Sequence, residues 1–258
     1  MRVALVQFAA PPDSVAALAQ LADRLDDIDP EESPELVVLP EAAMHDFGAT
    51  DHDVASFAEP IDGPFVAFLA ASARRLRTTI VAGMFEATDD LPYNTLVAVA
   101  PDGSLVGTYR KIHLYDSFGY RESDRLRAGD PVPAVLDVAG HRLGLMTCYD
   151  LRFPEMGRLL VDAGADTFVV PAAWVAGEHK LDHWRTLLRA RAIENTVHVV
   201  AAAQCGPRYT GHSLVADPMG LIVAEGGDGP GLVRAEIDRA TVDHVREVNP
   251  SLANRRIS

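Results

Sequence analysis

Short apolar runs alternate along the chain with longer stretches of helical period. Residues 3–8 read as a buried strand. In residues 14–25, Val15, Leu18, Leu21, Ala22 and Leu25 recur on one helical face, with Ser14 at the N-cap position. Residues 35–39 form the next strand, cut off by Pro40. Residues 64–76 read as a helix with proline at its first position and Phe65, Phe68, Leu69 and Leu76 facing inward. Strands follow at 79–85, 95–100 and 104–109, the last two joined by Pro101-Asp102-Gly103, which is hairpin chemistry. A second hairpin, 134–138 with 143–147, turns around Gly140. Beyond it the pattern predicts a helix over 154–163 ending at Gly164, a strand at 166–170, a helix over 183–195 and a strand at 197–203. Strands at 212–217 and 221–224 flank Pro218-Met219-Gly220. A strand at 232–237 and a helix over 239–248 close the chain.

A β-α-β start followed by hairpins predicts α/β architecture with mixed sheets. Fully apolar strands such as Leu36-Val37-Val38-Leu39 and Phe168-Val169-Val170 predict sheets covered on both faces. The strand–helix–strand unit occurs twice, each time followed by a hairpin, which hints at internal duplication. No linker or low-complexity run divides the series. Residues 1–258 are therefore expected to form one domain, with a core over roughly 1–238 and a C-terminal tail.

Charge narrows the classes of partner. The 23 Lys and Arg against 37 Asp and Glu give a net charge of −14, which repels phosphate backbones and anionic membranes. Two cysteines, Cys148 and Cys205, cannot build a disulfide framework. The N-terminal residues lack a signal-peptide pattern, and no run nears the roughly 18 apolar residues of a membrane helix. A soluble, cytoplasmic protein is expected, binding neither nucleic acid nor membrane.

Three residues at strand ends could carry chemistry. Cys148 follows Leu143-Gly144-Leu145-Met146-Thr147 and precedes a helix, near outward-pointing backbone N–H groups that favour a thiolate and can hold an oxyanion. Glu41 follows Leu36-Val37-Val38-Leu39-Pro40, where partial desolvation suits a carboxylate to general-base work. Lys111 ends the strand Gly107-Thr108-Tyr109-Arg110 and could stabilise charge on a carbonyl oxygen. Taken singly, each has a plainer reading: a buried structural thiol, a loop acid, a solvated cap. Cys205 fits the structural-thiol reading.

Together, Leu-Pro-Glu, Tyr-Arg-Lys-Ile-His-Leu and Cys-Tyr-Asp-Leu-Arg-Phe-Pro-Glu resemble the triad of the nitrilase, or carbon–nitrogen hydrolase, family across nearly the whole chain. The segments 199–206 and 211–218 resemble the Nit-type amidase branch, whose members act on deaminated glutathione and ω-amides. The resemblance implies a four-layer α-β-β-α sandwich, paired into a homodimer through helical layers. It implies Cys148 as nucleophile, Glu41 as general base, Lys111 as oxyanion stabiliser and Glu122 as the glutamate that orients lysine and water. The backbone N–H of Tyr149 becomes the second oxyanion donor, and Arg152 and Trp174 line the substrate pocket. The chain departs from the branch in carrying Trp174 where phenylalanine is common, and in a short segment between Asp116 and Glu122.

The implied activity is thiol-dependent hydrolysis of a small, carboxylate-bearing linear amide to acid and ammonia through a thioester, with no metal or organic cofactor. Within the class, N-carbamoyl amino acid hydrolysis and nitrile hydrolysis are alternatives. Outside it stand a silent binding or scaffold protein and a metal-dependent amidohydrolase. His179 and His183 have a zinc-like spacing but no His-Glu-x-x-His pattern, and the cluster His45-Asp46 with Asp51-His52-Asp53 reads as a solvated loop. For Arg152 two roles are open: gripping a substrate carboxylate, or bracing the turn against Asp150 or Glu155.

Overall fold

The computed structural model describes residues 1–31, 34–48 and 53–257. The first half runs β1 (Arg2–Gln7), α1 (Ser14–Asp26), β2 (Leu36–Val38), α2 (Pro64–Leu76), β3 (Thr79–Glu86), β4 (Tyr93–Val99) and β5 (Leu105–Arg110). A two-stranded ribbon, β6 (Asp116–Ser117) and β7 (Tyr120–Arg121), leads to the second half. That half comprises β8 (Val135–Val138), β9 (His141–Leu145), α3 (Pro154–Asp162), β10 (Thr167–Val169), α4 (Lys180–Asn195), β11 (His198–Ala201), β12 (Leu214–Ala216) and β13 (Ile222–Glu225). The chain then passes through β14 (Gly231–Glu236) and α5 (Arg239–Val248).

The duplication hinted at by the sequence exists at the level of topology. One sheet has the order β14-β1-β2-β3-β4-β5 and the other β8-β9-β10-β11-β12-β13. In each, three parallel strands joined by two helical crossovers are followed by two antiparallel strands, with one antiparallel strand added at the opposite edge. Period-two alternation divides the first sheet's side chains between two cores. Val3, Leu5, Leu36, Val38 and Val81 pack with the second sheet, whereas Ala4, Val6, Val37 and Ile80 pack with Leu21 and Leu25 of α1 and Phe65 and Leu69 of α2. The second sheet is covered in turn by Met156 and Leu160 of α3 and Trp184 and Leu188 of α4. The layers are α, β, β, α. Each fully buried Leu or Phe in these layers contributes about 1.5–3 kcal/mol.

Several local expectations need correction. The N-cap of α1 is Asp13, whose carboxylate accepts from the Ala16 N–H, and not Ser14. Val15 is 78% exposed, because the buried face of α1 runs through Ala17, Leu21 and Leu25. Helix α4 starts at Lys180, three residues before His183, with His179 in a left-handed conformation (φ 60°) just ahead of it. Among the described residues, no helix is long and apolar enough to cross a membrane.

Close approach of the chain to itself fixes one turn in particular. A Cβ on Gly83 in β3 would lie 2.6 Å from the Glu41 Cα and 2.8 Å from the Ala42 nitrogen. Glycine lets β3 bond the turn after β2 directly, with the Gly83 N–H donating to the Pro40 carbonyl (3.1 Å) and the Gly83 carbonyl accepting from Ala43 (2.9 Å). Any larger residue there would push Glu41 away from the strand ends.

Candidate active site

Glu41 follows β2, Lys111 follows β5 and Cys148 follows β9, so each leaves its sheet at the same end. The structure brings all three together with Glu122, which sits just after the ribbon β6–β7. The two glutamates and the lysine are buried, each 2% exposed or less. The Lys111 ammonium donates to Glu41 Oε1 at 2.9 Å and to Glu122 Oε2 at 2.8 Å. Burial alone would push this lysine down. Glu122 and Glu41, with Cys148, more than reverse that and hold the ammonium well above the ordinary lysine range. The other Glu41 oxygen, Oε2, accepts from the Ala173 N–H at 2.7 Å, which ties the first sheet's turn to the loop after β10.

Cys148 begins a short 3₁₀ turn, Cys148–Arg152, with a backbone φ of 45°. A left-handed cysteine is strained by about 1–3 kcal/mol and needs surrounding structure to hold it. Asp150 supplies much of that hold. It is fully buried and accepts from the Thr147 N–H (2.8 Å), the Tyr109 hydroxyl (2.6 Å) and the His113 N–H (3.1 Å). The Cys148 N–H donates to the Pro171 carbonyl at 3.0 Å. The N–H of Tyr149 lies in the first turn of this 3₁₀ segment, where donors lack an acceptor within the turn itself. Burial pushes the Cys148 thiol well above the ordinary cysteine range, the Glu41 carboxylate adds to the shift, and Lys111 only partly offsets it.

Sequence reasoning missed Asn94 on β4. Its side-chain amide donates to Glu41 Oε1 at 2.7 Å and to Glu122 Oε1 at 3.0 Å, so it spaces two carboxylates that would otherwise repel. In the sequence Asn94 stands one residue ahead of the strand expected at 95–100; the structure extends β4 back to Tyr93 and buries Asn94.

Glu41, Lys111, Glu122 and Cys148 line a cleft of about 620 Å³. Arg152 and Trp174 both line it, with the guanidinium 4.9 Å from the Trp174 ring centre and 3.4 Å from His183 Nδ1. The bracing role for Arg152 finds no partner: Asp150 is engaged elsewhere, and among the described residues no carboxylate lies within 4.0 Å of Arg152. Trp174 is buried against Trp184 and donates to the Lys180 carbonyl at 2.9 Å, which fastens the start of α4 to the cleft wall. The short segment after Asp116 is a tight turn with Phe118 and Gly119 both at positive φ, and it leaves the Phe118 ring exposed at the rim.

His45 and Asp46 are not a solvated loop. His45 stacks on Phe57 with centroids 3.6 Å apart. Asp46 accepts from the Tyr209 hydroxyl at 2.7 Å and pairs with Arg208, both of which line the cleft. Tertiary partners far along the chain bury these polar residues; Asp51 and His52 lie outside the described residues. Among the described residues, no three His, Cys, Asp or Glu side chains gather as a metal site. Cys205 is buried away from the cleft, its N–H donating to the Phe8 carbonyl at 3.1 Å.

The carbon–nitrogen hydrolase family model matches residues 2–247. The chain belongs to this family. As a carbon–nitrogen hydrolase it is 40% identical, over 232 residues, to a deaminated glutathione amidase of Escherichia coli O157:H7, spanning 88% of this chain and 87% of that one. A deaminated glutathione amidase of Synechocystis is also 40% identical, across 92% of this chain and 91% of the relative. Among solved structures, a carbon–nitrogen hydrolase superfamily protein of Xanthomonas campestris superposes with a TM-score of 0.89 at 29% identity, covering 100% of this chain and 98% of the other. The α-β-β-α fold expected from the sequence is the one this structure shares with the Xanthomonas campestris protein.

Asn94 supplies a test of this geometry. Asn94→Ala should lower kcat roughly 10- to 100-fold, a typical effect of losing a group that orients reacting side chains. Asn94→Asp should be worse, because it sets a third carboxylate beside Glu41 and Glu122. Steady-state rates and melting temperatures of both variants check this, and activity equal to wild type in Asn94→Asp would refute the spacing role.

Proposed function

We propose that this carbon–nitrogen hydrolase is a thiol amidase that cleaves a small, carboxylate-bearing linear amide. The observation that carries the reading is the buried Lys111 ammonium, bridged between Glu41 and Glu122 in the lining of the cleft beside Cys148. Glu41 takes the thiol proton as the Cys148 sulfur attacks the amide carbonyl. The carbonyl oxygen gains the negative charge and is held by Lys111 and the Tyr149 N–H, a preorganised donor set of the kind worth roughly 10²–10³ in rate. Glu41 returns the proton to the departing nitrogen, the C–N bond breaks, and ammonia or an amine leaves a thioester on Cys148. Water then gives a proton to Glu41 and attacks the thioester carbonyl, with Glu122 and Lys111 fixing the geometry. The acid leaves as the sulfur recovers its proton.

The names of the relatives support an amide bearing a carboxylate as substrate, and Arg152 offers a cation in the cleft that, among the described residues, has no carboxylate within 4.0 Å. Two unbridged, buried cysteines support a cytoplasmic setting. A homodimer is proposed through the helical layer beyond Cys148, where Ile193 of α4 lies against the turn at Gly220, next to the exposed Met219 and Leu221.

Ammonia or amine release should be measured with α-ketoglutaramate, deaminated glutathione, simple aliphatic amides, a carbamoyl amino acid and a nitrile. Turnover of the carboxylate-bearing amides is expected, abolished in Cys148→Ala and largely kept in Cys205→Ala, with an acyl adduct on Cys148 by intact mass. Turnover of only the nitrile or the carbamoyl compound, or an adduct on Cys205 alone, would overturn the reading. Sedimentation at micromolar concentration should show a dimer; a fully active monomer would contradict that part.

A further inference from the structure

Four cationic side chains from Lys or Arg line the cleft: Lys111, Arg152, Lys180 and Arg208. Lys111 is neutralised by two glutamates and Arg208 by Asp46. The other two are not. Among the described residues, neither Arg152 nor Lys180 has a carboxylate within 4.0 Å. The Arg152 Nε is buried without a hydrogen-bond partner. The Lys180 ammonium donates to the Tyr115 hydroxyl at 3.1 Å and lies 3.8 Å from the centre of the Phe118 ring. Glu178, close by in sequence, is exposed and lies beside His179.

One residue places both cations. The Trp174 indole N–H holds the Lys180 carbonyl at 2.9 Å, while the Trp174 ring carries the Arg152 guanidinium. Trp174 thus sets the Lys180 backbone and the Arg152 guanidinium on the cleft, while the Tyr115 hydroxyl and the Phe118 ring hold the ammonium itself. Burial lowers the Lys180 ammonium below the ordinary lysine range and the Arg152 charge lowers it further. Two like charges that line the same cleft, with no carboxylate within 4.0 Å among the described residues, suit an anion supplied from outside.

We propose that Lys180 and Arg152 jointly form the carboxylate subsite of the cleft, with Lys180 as the second specificity-determining cation and Tyr115 positioning it. The inference rests on the amidase reading and deepens it: the substrate is an amide whose carboxylate spans a guanidinium and an ammonium, with aromatic rings from Tyr115 and Phe118 against its carbon chain. Sequence reading passed over Lys180 because the segment Gly177–Asp182 has no apolar period to mark it as the start of a helix.

The test compares glutaramate with its neutral methyl ester on wild type, Lys180→Met and Lys180→Arg, and measures glutarate binding to the same three proteins by calorimetry. Lys180→Met should raise KM for glutaramate roughly tenfold with kcat little changed, the size expected for loss of one charge-assisted contact. Its loss on the ester should be at least fivefold smaller. Glutarate binding should weaken by a similar roughly tenfold factor, and Lys180→Arg should recover most of both. Equal losses on acid and ester would mean that Lys180 only props Tyr115, and would overturn the subsite. So would glutarate binding that is absent from wild type or unchanged in Lys180→Met. If wild type cleaves neither amide yet binds glutarate through Lys180, the amidase reading fails and the subsite stands.

Discussion

The site depends on one buried cation. Lys111 sits between Glu41 and Glu122 with almost no access to water, and none of the three charges could be kept there alone. Desolvating a single ion in such a place costs several kcal/mol, repaid only when geometry and hydrogen bonding are good. Here the geometry is closed by the Asn94 amide, the Ala173 N–H and the Tyr115 N–H, which also donate to the oxygens of the two carboxylates. The arrangement also bears on the chemistry. Moving a proton from Cys148 to Glu41 leaves the total charge of the cluster unchanged, and Lys111 interacts favourably with the anion in either place. In the proposed mechanism the Cys148 thiol, whose pKa burial raises, therefore passes its proton straight to Glu41 as it attacks, without becoming a free thiolate in water.

The fold supplies this cluster by repeating one plan. Each half sends a parallel strand into a sharp turn at the same end of its sheet, and the two sheets pack face to face. The turn after β2 thereby meets the turn after β9. Neither turn is relaxed by itself: the first needs Gly83 for its close approach to β3, and the second needs Asp150 to hold Cys148 at positive φ. Asp150 also reaches Tyr109 on β5 and His113 beyond it, so the segment that carries Lys111 is anchored to the turn that carries Cys148.

Elements whose pattern is local were readable from the sequence. Helices α2 and α5 have the expected bounds, because proline or an acidic cap marks the start and an apolar stripe runs to the end. The Glu, Lys and Cys positions were visible because short motifs surround each. What escaped depends on partners distant in the chain. Asn94 looks like a polar residue just ahead of a strand until Glu41 and Glu122 converge on it. His45 and Asp46 look solvated until Phe57 and Tyr209 cover them. Lys180 looks like a surface lysine until Trp174 and Tyr115 draw it to the cleft. Val15 fits the helical stripe on paper, yet the buried face of α1 is rotated away from it.

The most direct measurement compares Lys111→Met with the double variant Lys111→Met, Glu122→Gln in both melting temperature and amide turnover. Removing the lysine alone strands two buried carboxylates and should destabilise the fold by about 3–5 kcal/mol. Replacing Glu122 as well removes one of those charges and should restore much of the melting temperature. Turnover should stay at least roughly 10²-fold below wild type in the double variant, since the proposed mechanism then lacks the cation that holds its oxyanion. A double variant that is stable and retains near wild-type turnover would contradict the central role assigned to the buried ammonium.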